Sequence, residues 1–341
     1  MNSLYDISTR PEFPTVIDST VRDTFFNCPH KAYRMYFEHW KSNRESIHLI
    51  AGGAFAKGLE VARKAFFENN VSREDSTALG IQALLETFRE ISEKTGRDFE
   101  GEDKNPERVA GALEFYLENY PLGLDGLQPA TLSDGKLGIE YSFVEELPIK
   151  HPETGLPILF AGRADMLAEY AGGLYLIDEK TTKSLGATWV TKWDMRAQFS
   201  AYAWACRQRG IKIDGIIIRG VSILKTKYDH LPAITLRSDY EIDKWFYQFC
   251  KDIERMISMW HEGYFDYALG EACESYGGCM FKEACRSPNP EEIIQGNFTK
   301  RIWNPISRDE TPIDLSNVNF QSQDLNYINV SVEEFLGVPL K

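Results

Sequence analysis

Helical spacing of apolar residues dominates the first third of the chain. One such pattern begins at Ser19 or Thr20, either of which can cap a helix, and it runs to about Trp40. Further helical patterns cover residues 52–69, 75–96 and 106–119. We therefore expect residues 1–120 to form a mainly helical N-terminal portion.

Beyond residue 122, a loop rich in Gly and Pro gives way to segments typical of β-strands. The predicted strands cover residues 137–147, 158–170, 174–181 and 213–224, and the predicted helices cover 188–209 and about 239–262. Ala171-Gly172-Gly173 marks a tight turn between the second and third strands. Strands interrupted by a crossing helix predict an α/β core over residues 121–265.

The end of the chain lacks a clear period. Residues 266–290 contain three closely spaced cysteines, and we treat them as a separate Cys-rich segment. Residues 291–341 are rich in Asn, Pro and Ser. We expect an irregular tail there, with one short helix near Val332–Leu336.

Composition places the chain among globular proteins, with 43% hydrophobic and 26% charged residues. The N-terminus lacks a basic stretch followed by an apolar one. No apolar run approaches the roughly 18 residues that a spanning helix needs. These features predict a cytoplasmic protein without a membrane partner.

The net charge of −13 argues against a nucleic-acid partner, because phosphates attract cations. The charge is unevenly distributed, however. Residues 180–227 contain ten basic and two acidic side chains, so they carry +8 and the rest of the chain carries −21. Such a segment fits a local DNA-binding face, or basic residues scattered over a solvated surface. Trp189, Trp193 and Trp204 lie in the same segment and can stack on bases or pack in the core.

Charged residues around the predicted hairpin suggest a metal-binding or catalytic site. Asp165 lies in one strand and Asp178 near the end of the next, so antiparallel pairing can bring the two carboxylates together. Asp178 and Lys180 alternate with Glu179 and therefore share a face. Carboxylates suit Mg²⁺ or Mn²⁺, and an ammonium group can orient a water or stabilise a phosphoryl oxygen. The plainer interpretation is a charged strand end that emerges into solvent.

A Q-x-x-x-Y pattern at Gln198 and Tyr202 follows the G-R-x-D run that ends at Asp165 and the D-E-K run that ends at Lys180. In this order the motifs resemble the PD-(D/E)xK nuclease superfamily, especially its RecB-type branch with CRISPR-adaptation nucleases and the AddB nuclease domain. The resemblance implies a restriction-endonuclease-like fold with a mixed central sheet flanked by helices. It also implies that Gln198 and Tyr202, on one helical face, point to the active site or the DNA. Without the other motifs, Gln198 would be interpreted as a surface residue and Tyr202 as a core residue.

The resemblance also implies the roles of the charged residues. Asp165, Asp178 and the backbone carbonyl of Glu179 would bind Mg²⁺ or Mn²⁺, and Lys180 would be the catalytic lysine. The implied reaction is hydrolysis of DNA phosphodiester bonds by an exonuclease acting on single strands or ends. Helicase, recombination or CRISPR-adaptation proteins would be its partners.

One element of the family is missing. The family usually carries a G-x-x-H motif whose His binds metal, and in the run that begins at Gly53 the His position is Ala56. Glu60, one turn further along, could bind metal directly or through water, and Lys57 or Glu140 could also compensate. The substitution leaves the second metal ion open. It also favours an alternative function, a catalytically inactive DNA-binding or recombination partner that retains the fold.

The six cysteines fall into two groups. Cys206 and Cys250 lie in apolar helical patterns and are expected to be small buried side chains. The remaining cysteines are Cys28, Cys273, Cys279 and Cys285. One distant and three clustered cysteines resemble the set that binds a [4Fe–4S] cluster in the RecB-like branch. The family spacing is usually C-x2-C-x5-C rather than the C-x5-C-x5-C found here, so structural zinc in a scaffold protein, or no metal, stays open.

Overall fold

The computed structural model of the protein describes residues 10–274, 278–307 and 309–312. The helices are α1 (Ser19–Asn27), α2 (Pro29–Ala32), α3 (Ile47–Phe67), α4 (Arg73–Thr95), α5 (Pro106–Asn119), α6 (Ala197–Gln208), α7 (Asp239–Glu262), α8 (Glu271–Glu274), α9 (Lys282–Arg286) and α10 (Pro290–Asn297). The strands are β1 (Val16–Ile17), β2 (Trp40–Ser42), β3 (Gln128–Pro129), β4 (Ile139–Lys150), β5 (Pro157–Tyr170), β6 (Gly173–Thr182), β7 (Gly215–Ile223), β8 (Tyr228–Thr235), β9 (Phe298–Asn304) and β10 (Asp309–Pro312). A π-helical turn lies at Tyr33–Phe37 and a 3-10 turn at Thr191–Trp193. The helix expected near Val332–Leu336 falls outside the described residues.

A mixed central sheet organises these elements. Its strand order is β1-β5-β6-β7-β8, with β3 and β4 also paired to β5. The β6–β7 and β1–β5 pairs are parallel, and the other pairs of this sheet are antiparallel. Every residue of β7 is buried, as expected for a strand covered on both faces. The predicted α/β class, with a mixed sheet flanked by helices, is confirmed.

The two faces of the sheet have separate hydrophobic cores. On one face, Ile218 of β7 belongs to a cluster with residues of α6 and α7, including Phe199 and Phe249. On the other face, Val221 of β7 belongs to a cluster with residues of α3, α4 and α5, including Leu59. The even and odd positions of one strand thus meet different helices, because side chains alternate along a strand.

The hairpin between β5 and β6 is as tight as the sequence predicts. Tyr170 pairs with Gly173, so Ala171 and Gly172 alone form the turn. Both turn residues have positive φ, 49° and 83°, as a two-residue type I′ turn requires. This turn fixes which residues of β5 and β6 lie opposite one another.

The long N-terminal helix predicted to reach Trp40 is interrupted. The helix starts one residue earlier than expected, since the Asp18 side chain caps it by accepting a hydrogen bond from the Val21 amide at 2.7 Å. It stops at Cys28, which has extended backbone angles (φ −159°, ψ 106°). Pro29 explains the interruption, because a residue before proline is pushed out of the helical region.

The expectation of an irregular tail is wrong for the described part of residues 291–341. Most of α10 and all of β9 lie there, and β9 pairs with both β2 and β10. Ile294 and Phe298 are buried with Trp40 and Phe281 in a small core of their own. The polar composition concealed this unit, because its few apolar residues are buried by partners that are distant in sequence. Within the described ranges, none of the helices has the combination of length and hydropathy needed to cross a bilayer.

Candidate active site

Asp165 lies where β5 and β6 part. The hairpin pairing ends at Met166 and Ile177, and the next two residues that face each other are Asp165 and Asp178. The Glu179 backbone N–H donates to Asp165 Oδ2 at 2.7 Å, in place of a backbone partner on β5. The structure therefore gathers the two carboxylates at the fork between the strands.

Asp178 is 1% exposed, and cationic and polar groups contact its carboxylate. Lys180 Nζ lies 2.5 Å from Asp178 Oδ1, and Gln198 Nε2 donates to Asp178 Oδ2 at 3.3 Å. Lys180 points to the same side as Asp178, as their alternation predicts. Its side chain is 32% exposed, so the ammonium group stands between the buried carboxylate and solvent.

The Q-x-x-x-Y pair of α6 holds this arrangement together. Gln198 Nε2 donates to the Tyr202 hydroxyl at 2.8 Å, and that hydroxyl donates to the Arg163 carbonyl of β5 at 2.7 Å. Tyr202 is 5% exposed. The pair thus connects Asp178 on β6 to the strand that carries Asp165, which a surface Gln and a purely apolar Tyr would not do.

The carboxylates repel each other. Burial is the largest cause that raises the pKa of Asp165 well above its ordinary value, and the charges of Asp178 and Glu179 raise it further. Lys180 only partly opposes this effect. A divalent cation between the two carboxylates would remove the repulsion, so the donor set fits such an ion. In the described part of the chain, no three or more His, Cys, Asp or Glu side chains are arranged to hold a metal ion by themselves.

Glu179 points to the opposite face of β6, where sequence reasoning placed no functional side chain. Arg63 of α3 contacts both of its oxygens, at 2.5 and 3.1 Å, and the Tyr116 hydroxyl of α5 donates to it at 2.8 Å. The Arg63 and Glu179 side chains are only 4% and 3% exposed. Burial alone would raise the pKa of Glu179, but Arg63 brings it below its ordinary value. In the sequence, the one signal for this contact is a charged Arg within the apolar pattern of α3.

This network extends away from the fork. Arg219 of β7 donates to Tyr116 at 3.3 Å and to Asp125 at 2.6 Å, and its guanidinium lies 4.0 Å from the ring centroid of Tyr120. Arg219 is 4% exposed, so it cannot belong to a DNA-binding surface. Its place is structural, linking α5 and the loop after it to the central sheet.

Other basic residues of segment 180–227 are also engaged. Arg207 pairs with Asp239 and Asp243, and Arg209 pairs with Glu145. The segment is contiguous in sequence but does not present all its charges on one face. Trp189, Trp193 and Trp204 are 2%, 7% and 3% exposed, so of the two alternatives the structure supports packing in the core, as expected for at least Trp204.

The residues at and near the missing His position lie less favourably for metal binding than the two carboxylates at the fork. Ala56 is exposed on α3. Glu60 is held by two lysines of its own helix, Lys57 at 3.1 Å and Lys64 at 2.7 Å. Both of its oxygens are therefore engaged, and metal binding by Glu60 would require at least one of these ion pairs to break.

Glu140 lies closer to the fork. Its neighbours on β4 pair with Met166 and Ala164, which places Glu140 opposite Asp165. It has a positive φ of 54°, an unusual angle for a residue other than glycine, and it pairs with Arg163 Nε at 2.9 Å. The charge of Glu140 contributes to the raised pKa of Asp165, as expected of a neighbouring carboxylate.

The four cysteines that the resemblance assigns to a cluster are not arranged to hold a metal ion in the part of the chain that the structure describes, although the Cys279 backbone N–H donates to the Cys273 carbonyl at 2.9 Å. Cys28 precedes α2, and the other three lie in or between α8 and α9. Burial raises the pKa of the Cys285 thiol to about 11, and the nearby Cys279, Cys28 and Cys273 add to this rise. All four are free thiols. Tyr276 and Gly277, within the first gap of the motif, lie outside the described residues.

Comparison with protein-family models matches residues 20–286 to the PD-(D/E)XK nuclease superfamily. Because the match spans well over half of the chain, the protein belongs to the PD-(D/E)XK nuclease superfamily. No curated protein sequence matches it significantly. Among solved structures, a protein from Eubacterium rectale described as a candidate exonuclease is 12% identical, with 80% of this chain and 91% of that chain covered and a TM-score of 0.48. The structure of SSO0001 is 13% identical, with coverages of 61% and 74% and a TM-score of 0.28.

Proposed function

We propose that this protein is a divalent-metal-dependent deoxyribonuclease that acts as an exonuclease on single strands or DNA ends. The carrying observation is the pair of carboxylates at the fork, Asp165 and Asp178, with the Lys180 ammonium 2.5 Å from the second. Membership of a nuclease superfamily supports the reaction class.

Asp165, Asp178 and the Glu179 backbone carbonyl would hold Mg²⁺ or Mn²⁺. When bound, such an ion supplies Lewis-acid stabilisation and lowers the pKa of a coordinated water. With few protein ligands, the site suits Mg²⁺, which retains several waters. Asp165 must be deprotonated to bind the ion, so its raised pKa makes metal and proton compete.

Lys180 would act on the phosphate and the attacking water. Its ammonium is held by Asp178 yet remains partly exposed, so it can orient the water or neutralise charge on a phosphoryl oxygen. The water oxygen loses a proton to solvent as it attacks phosphorus, the bond from phosphorus to the leaving deoxyribose oxygen breaks, and that oxygen takes up a proton. Gln198 would orient Asp178, since it contacts both that carboxylate and Tyr202.

Linear and circular DNA separate the modes of action. With Mn²⁺, we expect the wild-type protein to release nucleotides from linear single-stranded DNA and to leave circular single strands intact. Lys180→Ala should lower the rate by on the order of 100-fold or more. Lys251→Ala, which changes an exposed lysine of α7, should leave the rate unchanged. Cleavage of circles would indicate an endonuclease. DNA that is bound but left intact would instead support the inactive DNA-binding alternative, which Ala56 favours.

We further propose a [4Fe–4S] cluster on Cys28, Cys273, Cys279 and Cys285, which would tie the N-terminal helices to the segment after α7. The effect of the other three thiols on the pKa of Cys285 supports their grouping, and ligation would require the thiols to move closer together. Protein purified without oxygen should contain iron and sulfide and absorb broadly near about 400 nm. Cys28→Ser should lose the iron, and Cys250→Ser should keep it. Zinc in place of iron would favour the structural-zinc alternative.

A further inference from the structure

Lys104 is a lysine whose side chain is largely buried. It lies two residues before α5 and is 2% exposed, and it forms neither a hydrogen bond nor an ion pair with any residue that the structure describes. A buried charge is costly unless it is paired. Its chain neighbours Asp103 and Asn105 are exposed and half-buried, so Lys104 lies shallowly beneath the surface.

A second lysine and the N-terminus of a helix lie near Lys104. Burial is the main cause that lowers the pKa of Lys104 to about 8, and the nearby Lys183 adds to it. The pKa of His48 is lowered as well, by burial and then by Lys183 and Lys104. His48 is the second residue of α3, a helix of 21 residues whose N-terminus adds positive potential. Lys104, Lys183 and the N-terminus of α3 thus place positive charge here, and Asp103 and Glu102 place negative charge beside it.

Asp103 is a poor counter-ion for this cluster. Its two carboxylate oxygens lie 3.8 Å from the ammonium groups of Lys183 and Lys225, beyond the roughly 2.7–2.9 Å of a charge-assisted hydrogen bond. Both lysines are mostly exposed, at 59% and 76%. A phosphate group has more oxygens and could contact the lysines at closer range.

The cluster lies at the same end of the central sheet as the candidate active site, on the face of β6 where Thr181 approaches α3. Strands β6 and β7 are parallel and pair through Thr182 and Ser222, so Lys183 and Lys225 follow them at one edge of the sheet. Lys183 is three residues beyond Lys180, or about 10 Å at the rise of a strand. A few nucleotides of a single strand span this distance.

We propose that Lys104, Lys183 and Lys225 form a phosphate-binding subsite for the nucleic-acid strand, with Asp103 competing for the same cations. The proposal rests on the proposed nuclease function. The shared ligand chemistry is a phosphate group, either internal to the strand or at its 5′ end.

Binding without catalysis tests this subsite. The full-length protein is titrated against fluorescent single-stranded oligonucleotides, with or without a 5′-phosphate, in EDTA and at several salt concentrations. Lys183→Gln and Lys104→Gln should each weaken binding several-fold and reduce the slope of log K against log salt by about 0.7. Asp103→Asn should tighten binding several-fold. Lys251→Gln and Glu254→Gln, an exposed pair on α7, remove the same charges elsewhere and should change nothing.

The outcomes separate the possible conclusions. An effect confined to 5′-phosphorylated strands supports a terminal-phosphate subsite, and an equal effect on both supports an internal one. The proposal is overturned if Lys183→Gln and Asp103→Asn bind like the wild type, even if DNA is degraded. If these variants shift binding as expected but the wild-type protein degrades no DNA, the subsite stands and the proposed nuclease function fails. Lys183 and Asp103 are exposed, so the result does not depend on whether Lys104→Gln folds.

Discussion

At the residue scale, the fork between β5 and β6 places like charges together and holds them with a few opposite ones. Asp165 and Asp178 repel each other. Of these two carboxylates, Asp178 is the one that Lys180 and Gln198 contact. A site built to bind a cation is expected to be destabilising when the cation is absent. Stability measurements on the metal-free protein can therefore report on function.

Asp165→Asn should stabilise the metal-free protein at neutral pH while abolishing nuclease activity. Asn keeps an oxygen that can accept the Glu179 N–H bond but removes the charge that Asp178 repels. The free energy of unfolding should rise by on the order of 1 kcal/mol, the usual size of a single-residue effect on stability. Urea unfolding in EDTA measures this change, and a loss of stability would argue that Asp165 is a purely structural residue.

The same residue predicts a pH dependence. Because the pKa of Asp165 is raised in the folded state, the folded protein binds this proton more tightly than the unfolded chain does. Its contribution to stability is present at low pH and is lost as pH rises through the folded-state pKa. Thermal unfolding measured over a series of pH values should show Mn²⁺ raising Tm more as pH rises through the folded-state pKa, with no such trend in Asp165→Asn. A shift that is the same at every pH would contradict the competition of metal and proton.

Arg63→Met should destabilise the fold by about 3–5 kcal/mol, because it leaves the Glu179 carboxylate buried without its cation. The double variant Arg63→Met with Glu179→Gln should recover part of this loss. Chemical denaturation of the three proteins measures both effects. A cost below about 1 kcal/mol for the single variant would show that the pair does not anchor β6.

At the element scale, β6 connects the candidate site on one face of the central sheet to the helices on the other face. Its even positions face α6 and carry the candidate chemistry, and Glu179 fastens its other face to α3 and α5. The helices behind the strand thus determine where Asp178 and Lys180 point. Tight packing among these helices should matter as much as the site residues themselves.

Gly58→Ala tests this packing. Helices α3 and α4 cross at Gly58 and Gly80, where a Cβ on Gly58 would lie 2.7 Å from the Gly80 carbonyl oxygen. Backbone must move to admit it, at a cost of about 1–3 kcal/mol by calorimetry or denaturation. Gly53→Ala on the same helix has no described atom within 4 Å of its new Cβ and should be neutral or stabilising by up to about 1 kcal/mol. Equal effects of the two substitutions would contradict the close crossing.

Elements with strong local signals were predictable. Helices α5 and α7 begin and end where their periodicity and caps indicate, and the β5–β6 turn follows from its Ala-Gly-Gly sequence. The break at Cys28 was missed because Pro29 was outweighed by the helical spacing around it. The α10–β9 unit was missed because Phe298 stacks on Phe281, 17 positions away, and shares its core with Trp40 of β2, and no local window contains both partners.

The residues of the candidate site also divide into those that local sequence predicts and those that it does not. Asp165, Asp178 and Lys180 could be found because a hairpin turns sequence spacing into proximity. Arg63 and Tyr116 could not, since they reach Glu179 across 116 and 63 positions of the chain. Which basic residues are free of acidic partners is likewise a tertiary property, and the charge of segment 180–227 could not reveal it.

At the scale of the whole molecule, an acidic protein must concentrate its positive charge to bind DNA. The net charge of −13 repels a polyanion over most of the surface. The cations around Asp103 and the fork are therefore expected to guide the strand, and binding should weaken steeply with salt. This arrangement would restrict the DNA to one edge of the central sheet.

The central claim is that Asp165 and Asp178 make a divalent-metal nuclease site. Its most direct test is the rate of nucleotide release from linear single-stranded DNA as Mn²⁺ is titrated into metal-free protein. We predict saturable, EDTA-reversible activity in the wild type, a loss of at least about 100-fold in Asp178→Asn, and unchanged activity in the α7 control Lys251→Gln. Activity that needs no divalent ion, or that survives in Asp178→Asn, would contradict the claim.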